Sequence, residues 1–481
     1  MKLSEYKQHD ALALAQLVKQ REVSPLELMQ CAITLAQTQA EPLNALIYPR
    51  FEAALERARH WQSQGVFAGV PFLLKDSSLG AKDFPASVGS KLFQDLQFAE
   101  NSTLAQRFED AGLIPFARST VPEFCMAPTT EAALNQGPTL NPWDSTRSPG
   151  GSSGGAAAAI AVGVVPLAHG SDGGGSIRIP AACCGLFGLK PSRGLVPTGP
   201  QKGEIWGGLG TDGVLSVSVR DSAAAMDSLC APEAGSPYAA PSFAPGTFLG
   251  AALAPRVRGL RIALWKNAWD DIPVAPECRS AVLHTAKLLQ DIGHHVEEAP
   301  LMDWDYEQFV QAHYNILTAH ATNATEARLQ ALQRPLRDDD LEPALKDAYE
   351  EGKRLSASDY INAIATLHDV GRRLGRYLKD YDLILTPSLT QLPVPLGELS
   401  MQGSFWSLRR KVSRYATFMA LVNASGAAAA SLPLWQTGQP LPVGSQLIGP
   451  LGSDALIIGV AAQLEQAQPW HHQRPPQYFA S

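Results

Sequence analysis

Apolar and polar positions change their period repeatedly along the chain, and these changes predict helices and strands in turn. Residues 9–20 carry leucines and a valine at helical spacing. A second helix is predicted from Ser24 to about residue 39, because Ser-Pro-Leu-Glu forms a capping box with proline at the first helical position. Residues 69–76, GVPFLLKD, form instead an apolar run of strand length that closes on charged residues. This alternation is typical of an α/β fold, in which helices cover a β-sheet.

The same two periods predict alternating elements further along the chain. Helices are predicted over about 49–64, 102–111, 156–163, 276–292, 304–330, 341–379 and 453–467. Strands are predicted over about 113–117, 164–169, 260–265, 295–299, 382–386, 428–434 and 443–449. Residues 231–258 are loop-rich by composition but too few to separate two domains, so we expect one large α/β/α domain over 1–481.

Composition and charge narrow the class of protein. The 481 residues carry a formal net charge of −7, which argues against nucleic acid or an anionic membrane surface as a partner. No apolar stretch is long enough for a membrane span, and the first residues lack the apolar core of a secretory signal. The six cysteines form neither a disulfide framework nor a CxxC metal pattern. We therefore expect a cytoplasmic monomer or homodimer that acts on a small molecule without a metal or cofactor.

Two glycine-serine clusters stand out, at 150–155 (GGSSGG) and 170–176 (GSDGGGS). A flexible linker has such a composition, but dense apolar segments flank both clusters, which favours glycine beside a bound ligand. A phosphate cradle is disfavoured because GxxxxGK[ST] is absent. The GxSxG pattern at 150–154 matches a nucleophile elbow, but no strand is predicted directly before it. An α/β-hydrolase with a Ser-His-Asp triad, whose histidine would be one of eleven, is therefore the minor alternative.

Three motifs in order resemble those of the amidase-signature family. They are GVPFLLKD at 69–76, SPGGSSGG at 148–155 and GSDGGGSIRIPAACCGLFGLKPSRG at 170–194, and the likeness extends over most of the chain. The second motif is especially similar to bacterial amidases of non-peptide amides, including the nylon-oligomer hydrolases. The resemblance implies a central mixed β-sheet with helices on both faces. It also implies a catalytic core at about 65–225 and a variable, substrate-shaping region at about 300–425.

The resemblance implies a Ser-cisSer-Lys triad. Ser176 would be the nucleophile, Ser152 the proton relay after a cis Gly151–Ser152 peptide bond, and Lys75 the base. A serine hydroxyl needs an adjacent base, and lysine can serve only where burial lowers its pKa. The apolar residues directly before Lys75 predict such burial, while an ion pair with the neighbouring aspartate is the alternative. Ser153 is the competing candidate for the relay.

The second cluster also predicts how a developing negative charge would be stabilised. Unobstructed backbone N–H groups in a glycine run can form an oxyanion hole. The candidates are Gly173, Gly174, Gly175 and Ser176. Asp172 and Arg178 flank this loop, and we expect them to tie it to the lysine region through charged hydrogen bonds. A solvated pair is the alternative for these two residues.

A few residues outside the motifs are candidate walls of a substrate pocket. Cys125 and Met126 either line the acyl pocket or belong to the core. Trp206 and residues 405–406 are predicted in loops, where aromatic side chains would suit aryl or alkyl substrates, or simply pack in the interior. Many relatives have a larger residue at Gly173, so the oxyanion side is expected to be roomier here.

The predicted function is hydrolysis of carboxylic amide C–N bonds through an acyl-Ser176 intermediate. Esters, anilides and carbamates (urethanes) are further substrate classes of the same chemistry. One alternative is the glutaminase-type A subunit of a tRNA-dependent amidotransferase. Another is a catalytically silent binding protein on the same scaffold.

Overall fold

The computed structural model of the protein describes residues 1–62, 65–436 and 441–479. Its strands are β1 (Leu46–Ile47), β2 (Val70–Lys75), β3 (Leu113–Ser119), β4 (Leu167–Asp172), β5 (Phe187–Lys190), β6 (Thr211–Ser216), β7 (Arg261–Leu264), β8 (His295–Glu298), β9 (Leu383–Pro387), β10 (Ala428–Gln436) and β11 (Pro442–Gly449). Its helices are α1 (Leu3–Tyr6), α2 (Ala11–Lys19), α3 (Pro25–Leu35), α4 (Phe51–Arg59), α5 (Thr103–Asp110), α6 (Gly154–Ala161), α7 (Arg178–Cys184), α8 (Val219–Leu229), α9 (Thr247–Leu253), α10 (Pro276–Asp291), α11 (Tyr306–Leu332), α12 (Pro343–Gly352), α13 (Ala357–Tyr377), α14 (Phe405–Tyr415), α15 (Ala420–Ser425) and α16 (Asp454–Ala467).

The larger of two sheets has eight strands in the order β4-β6-β5-β10-β11-β9-β7-β8. The pairs are antiparallel from β4 to β9 and parallel from β9 to β8, so the sheet is mixed. Successive strand residues point to opposite faces. Ala428 and Ala430 of β10 accordingly pack in one core with Ile457 of α16, whereas Ala429 packs in another core with Leu367 of α13. The predicted mixed sheet with helices on both faces is confirmed.

A smaller sheet, in the order β1-β3-β2, places the lysine of the first motif. All residues of β2 are buried, which explains why the strand is a nearly continuous apolar run. The backbone N–H of Lys75 donates to His169 Nδ1 of β4 at 3.1 Å, and this bond joins the smaller sheet to the larger one. Lys75 ends β2 and Asp172 ends β4, so the lysine motif and the second glycine-serine cluster meet at one edge.

The prediction of one long helix over 341–379 is wrong. The chain forms α12 and α13 instead, because Ser356 caps α13 in a capping box with Asp359. The side chain of Ser356 accepts a hydrogen bond from the N–H of Asp359, which starts a new helix after the preceding turn. The apolar periodicity continues through both helices and hides the break.

Three further predictions differ from the structure in detail. Residues 231–258 contain α9, whose Phe248 and Ala252 are buried, so the segment is not wholly loop. Residues 405–406 begin α14 and do not lie in a loop. The helix predicted over 49–64 corresponds to α4, and residues 63–64 lie outside the described part of the chain. Across the described ranges, no helix is long and apolar enough to cross a membrane.

Candidate active site

Lys75 is completely buried at the end of β2. Its Nζ lies 2.8 Å from Ser152 Oγ, 2.8 Å from Ser171 Oγ and 3.2 Å from the Ser171 carbonyl oxygen. The alternative ion pair with Asp76 is absent among the described residues, since that carboxylate accepts hydrogen bonds from the N–H and hydroxyl of Ser87. The lysine amine is therefore directed at the first serine of GGSSGG.

The protonation of this lysine follows from its surroundings. Burial lowers the pKa of Lys75, while Cys125, Asp212 and Asp172 act in the opposite direction. Burial has this sign because the ammonium form loses its hydration. Relative to a lysine in water, the balance shifts towards the neutral amine, which fits the three contacts: its two N–H groups can donate to Ser171, and its lone pair can accept from the hydroxyl of Ser152. Only the neutral form can act as a base.

A histidine–aspartate pair lies behind the lysine strand. His169 Nδ1 accepts the Lys75 backbone N–H, and His169 Nε2 lies 3.0 Å from Asp212 Oδ1. Because Nδ1 is an acceptor, the ring carries a proton on Nε2 and donates it to the carboxylate. Burial lowers the pKa of His169, which favours the neutral ring that this arrangement needs. Neither residue was predicted as part of the site, although His169 directly precedes the second glycine-serine cluster.

The peptide bond between Gly151 and Ser152 is cis, as the family pattern predicts. Ser152 is buried next to the lysine amine. The competing Ser153 is also buried, but its Oγ lies 3.4 Å from the Ser171 carbonyl oxygen and is not hydrogen-bonded to Nζ. The described residues directly before the cluster form only isolated bridges and no strand, so a nucleophile elbow is not formed here.

The second cluster forms a tight loop after β4. The Asp172 carboxylate accepts the Gly175 N–H at 2.7 Å and the Ile177 N–H at 3.2 Å. The Gly175 N–H is thus already used, which corrects its assignment as a free oxyanion donor. The other three candidate N–H groups have no acceptor among the described residues; they belong to Gly173, Gly174 and Ser176.

Asp172 and Arg178 form a completely buried ion pair, so the solvated alternative is wrong. Arg178 Nε and Nη2 each lie 2.9 Å from the carboxylate, and the remaining N–H groups donate to Asn423, Gln446 and the Met419 carbonyl. Burial alone would raise the pKa of Asp172. The charge and hydrogen bonds of Arg178 outweigh this effect, so the pKa lies well below its usual range. The expected connection to the lysine region is therefore corrected: the pair joins the loop to α15 and β11.

A cavity of about 540 Å³ opens onto this cluster. Ser152 and Ser176 both line it, so the two serines face one space. Cys125, Met126 and Trp206, the candidate pocket residues, line the same cavity. The three residues are therefore placed beside the two serines.

The extra room expected at Gly173 is filled. A Cβ at this position would lie 2.5 Å from the ring of Trp206, so the indole takes the space that a side chain would need. Residues 405–406 are not among the described residues that line the cavity, and Phe405 is completely buried in the core. Of the two aromatic candidates, Trp206 therefore lines the cavity, whereas residues 405–406 do not.

The sequence of this chain matches a known protein family. A family model described as Amidase matches residues 27–458. The chain belongs to the amidase family. It is similar to the 6-aminohexanoate-cyclic-dimer hydrolase of Pseudomonas sp. (strain NK87), with 32% identity over 97% of this chain and 96% of the relative. The corresponding hydrolase of Paenarthrobacter ureafaciens is also 32% identical, again over 97% and 96%.

Solved structures of this family agree with the fold. A 6-aminohexanoate cyclic dimer hydrolase complexed with substrate superposes with a TM-score of 0.92 at 30% identity, covering 98% of this chain and 99% of the other. A bacterial aryl acylamidase of the amidase-signature family gives a TM-score of 0.86 at 27% identity, with 97% of each chain covered. This amidase is therefore an enzyme that hydrolyses amide bonds of small molecules.

One further polar residue of the site, Ser171, was not predicted from the sequence. Ser171 supplies two of the three oxygens around Lys75 Nζ, yet it was treated only as part of a glycine-rich motif. Its position directly before Asp172 in that motif was the available signal.

Within 1–62, 65–436 and 441–479, no three His, Cys, Asp or Glu side chains form a group that could hold a metal ion. The expectation that the enzyme needs no metal or cofactor stays a prediction.

Proposed function

We propose that this amidase acts through Ser176 as nucleophile, Ser152 as proton relay and Lys75 as general base. The contact between the buried Lys75 amine and Ser152 Oγ, at 2.8 Å, is the observation that carries the proposal. A hydroxyl becomes an effective nucleophile when an adjacent base removes its proton. Ser152, which faces both the amine and the cavity of Ser176, supports a relay between them.

The reaction then follows in two halves. Ser176 Oγ attacks the amide carbonyl carbon while its proton passes to Ser152, and the proton of Ser152 passes to Lys75. The N–H groups of Gly173, Gly174 and Ser176 stabilise the resulting oxyanion, because preorganised donors act where charge develops. Collapse breaks the C–N bond, and the amine leaves with the proton returned through Ser152. A water molecule, activated by the same relay, hydrolyses the acyl-Ser176 ester.

The cavity supports a small amide with an apolar leaving group. Phe93, Phe98 and Leu104 line it together with Trp206, and apolar walls of this kind favour aryl and alkyl groups. The relatives are hydrolases of a cyclic amide and of aryl acylamides, which supports the same class for this enzyme. Carbamates and esters present the same carbonyl geometry and are included in the proposed scope.

Alanine substitutions at the serines test the proposal against a hydrolysis panel of anilides, aliphatic amides, cyclic amides, carbamates and glutamine. We expect Ser176→Ala to lower kcat/KM for anilides by about 10⁴-fold or more and to abolish labelling by a fluorophosphonate. Ser152→Ala is expected to cost about 10²- to 10⁴-fold, since it removes the proton relay. Ser153→Ala is the matched control and should cost less than about 10-fold. Near-wild-type hydrolysis by Ser176→Ala would refute the nucleophile, and a larger loss in Ser153→Ala than in Ser152→Ala would refute the relay.

A further inference from the structure

A second, much smaller space touches Ser176. It is a hollow of about 20 Å³, room for one water-sized group, and it is lined by His313 and Arg409 together with Gly173, Gly174 and Ser176. Neither His313 of α11 nor Arg409 of α14 belongs to the amidase motifs. Both lie in the region at about 300–425 that was predicted to shape the substrate site.

Arg409 is a buried cation without an anion. Its side chain is 8% exposed, and among the described residues it forms no ion pair. Nη2 lies 3.2 Å from His313 Nδ1 and Nη1 lies 3.5 Å from the Met126 carbonyl oxygen, whereas Nε has no partner. A buried charge is costly unless an opposite charge or several good hydrogen bonds compensate it. An acceptor from outside the chain would supply what is missing.

His313 presents a second unused donor to the hollow. Its Nδ1 faces an arginine, which can only donate, so the neutral ring carries its proton on Nε2. Burial and the charge of Arg409 lower the pKa of His313 to about 3, with the backbone of Gly173 acting in the opposite direction, so the ring is neutral. The Gly173 backbone lies close enough to act on the ring, but Nε2 makes no hydrogen bond of full geometry; Nε2 is buried and would lie 3.7 Å from a Cβ placed on Gly174. The N–H therefore points towards the nucleophile loop and the hollow.

The two spaces at Ser176 differ in their access to the relay. Ser152 lines the larger cavity and is absent from the described lining of the hollow. The leaving amine must receive its proton from Ser152, so it has to occupy the larger cavity. The acyl side of the substrate is then the part that extends towards the hollow.

We propose that His313 and Arg409 form an acyl-side subsite that selects short acyl groups carrying an oxygen acceptor, a carboxylate or an amide carbonyl, beyond the scissile carbonyl. This inference rests on the proposed function, because it takes the direction of the acyl group from the Ser176–Ser152 relay. A guanidinium and a neutral imidazole N–H can together bind one such oxygen. The apolar cavity at the same time accepts an aryl leaving group.

Three anilides of matched shape test the subsite. They share aniline as leaving group and carry malonate (3-anilino-3-oxopropanoate), its primary amide, or isovalerate as the acyl part. We expect wild type to prefer both acceptor substrates over isovaleranilide by about 10-fold or more in kcat/KM, since a site built for a polar group rejects an apolar isostere. Arg409→Met should reduce the preference for the malonate anilide by about 10- to 100-fold. A stronger effect on the malonate anilide than on its amide would identify the carboxylate as the preferred acceptor, and equal effects the carbonyl.

Two further variants keep the test independent of folding. His313→Leu removes the N–H without removing the cation and should reduce the preference for both acceptor substrates. Arg410→Met, on the same helix but exposed and paired with Glu307, is the matched control and should leave the preference as it is. Binding of the malonate anilide to the inactive Ser176→Ala protein, measured by calorimetry with and without Arg409→Met, should weaken by a similar factor.

The outcomes separate the subsite from the mechanism. No acceptor preference in wild type, an unchanged preference in both subsite variants, or an equal loss for all three anilides would overturn the subsite. An equal loss is the result expected if the pair supported the oxyanion instead. Hydrolysis of isovaleranilide that survives in Ser176→Ala would contradict the proposed nucleophile, whatever the three-substrate comparison gives.

Discussion

Two buried arginines lie close to the nucleophile loop, and they differ in the partners that hold them. Every side-chain N–H group of Arg178 has an acceptor, and both oxygens of Asp172 are among them. Arg409 has two longer contacts, an unpartnered Nε and no carboxylate among the described residues. Burial lowers the pKa of Arg409 to about 10, which still leaves it charged at neutral pH.

The difference separates a structural charge from one that remains available to a ligand. The Arg178 charge is neutralised inside the protein, so it fixes the loop that carries Ser176 and has little left for a substrate. The burial of the Arg409 charge is costly, and its two contacts, to His313 and to the Met126 carbonyl oxygen, do not neutralise it. We infer that the first arginine serves stability and the second serves recognition, and each can be tested by what its removal does.

The largest effect on stability is expected when Arg178 is replaced. Arg178→Met leaves the Asp172 carboxylate buried without its partner, which should lower the free energy of unfolding by about 3–5 kcal/mol. Denaturant unfolding followed by circular dichroism measures this loss. Arg410→Met is the control, because an exposed ion pair contributes about 1 kcal/mol or less. A loss below about 1 kcal/mol in Arg178→Met would show that the loop does not depend on this pair.

The sequence predicted this part of the molecule well, because its residues lie in short contiguous motifs. Lys75 follows an apolar strand, and Asp172 and Arg178 flank a glycine run, so their proximity follows from local geometry. What the sequence could not reveal was the use of each N–H group. Four consecutive backbone N–H donors look equivalent in the sequence. In the structure, however, the Asp172 carboxylate accepts the N–H of Gly175, which is therefore not available to an oxyanion.

A smaller effect is expected on stability in acid, and it arises from Asp172, the partner of Arg178. The pKa of Asp172 is lowered in the folded state, so the ionised carboxylate stabilises the fold fully above the unfolded pKa, about 3.9, and this contribution is lost as the pH falls through the folded value. The difference in unfolding free energy between wild type and Asp172→Asn should therefore be constant above about pH 5 and shrink below about pH 4.

Unfolding curves at a series of pH values measure this difference. A wild-type advantage over Asp172→Asn that grows on acidification would contradict the direction of the Asp172 shift.

The hollow could not be predicted from the sequence. His313 and Arg409 are 96 positions apart, and they meet only because α11 and α14 pack side by side. His313 lies in a helix whose pattern is satisfied by burial alone, and Arg409 lies just after residues that were predicted in a loop. Long-range pairs of this kind leave no local signal, because each residue fits the ordinary amphipathic pattern of its own helix.

The smallest expected effect on stability is the one that decides the comparison. Arg409→Met removes a buried charge and replaces it with an apolar side chain of similar length, at the cost of a donor to His313 Nδ1. The lost hydrogen bond costs about 1 kcal/mol, and the removed desolvation penalty offsets it, so the free energy of unfolding should change by no more than about 1 kcal/mol. Adding the malonate anilide should raise the melting temperature of Ser176→Ala but not that of the Ser176→Ala, Arg409→Met double variant, since only the first retains the acceptor subsite. A loss of about 3 kcal/mol or more in Arg409→Met would place this arginine beside Arg178 as a structural element, and the distinction between the two would fail.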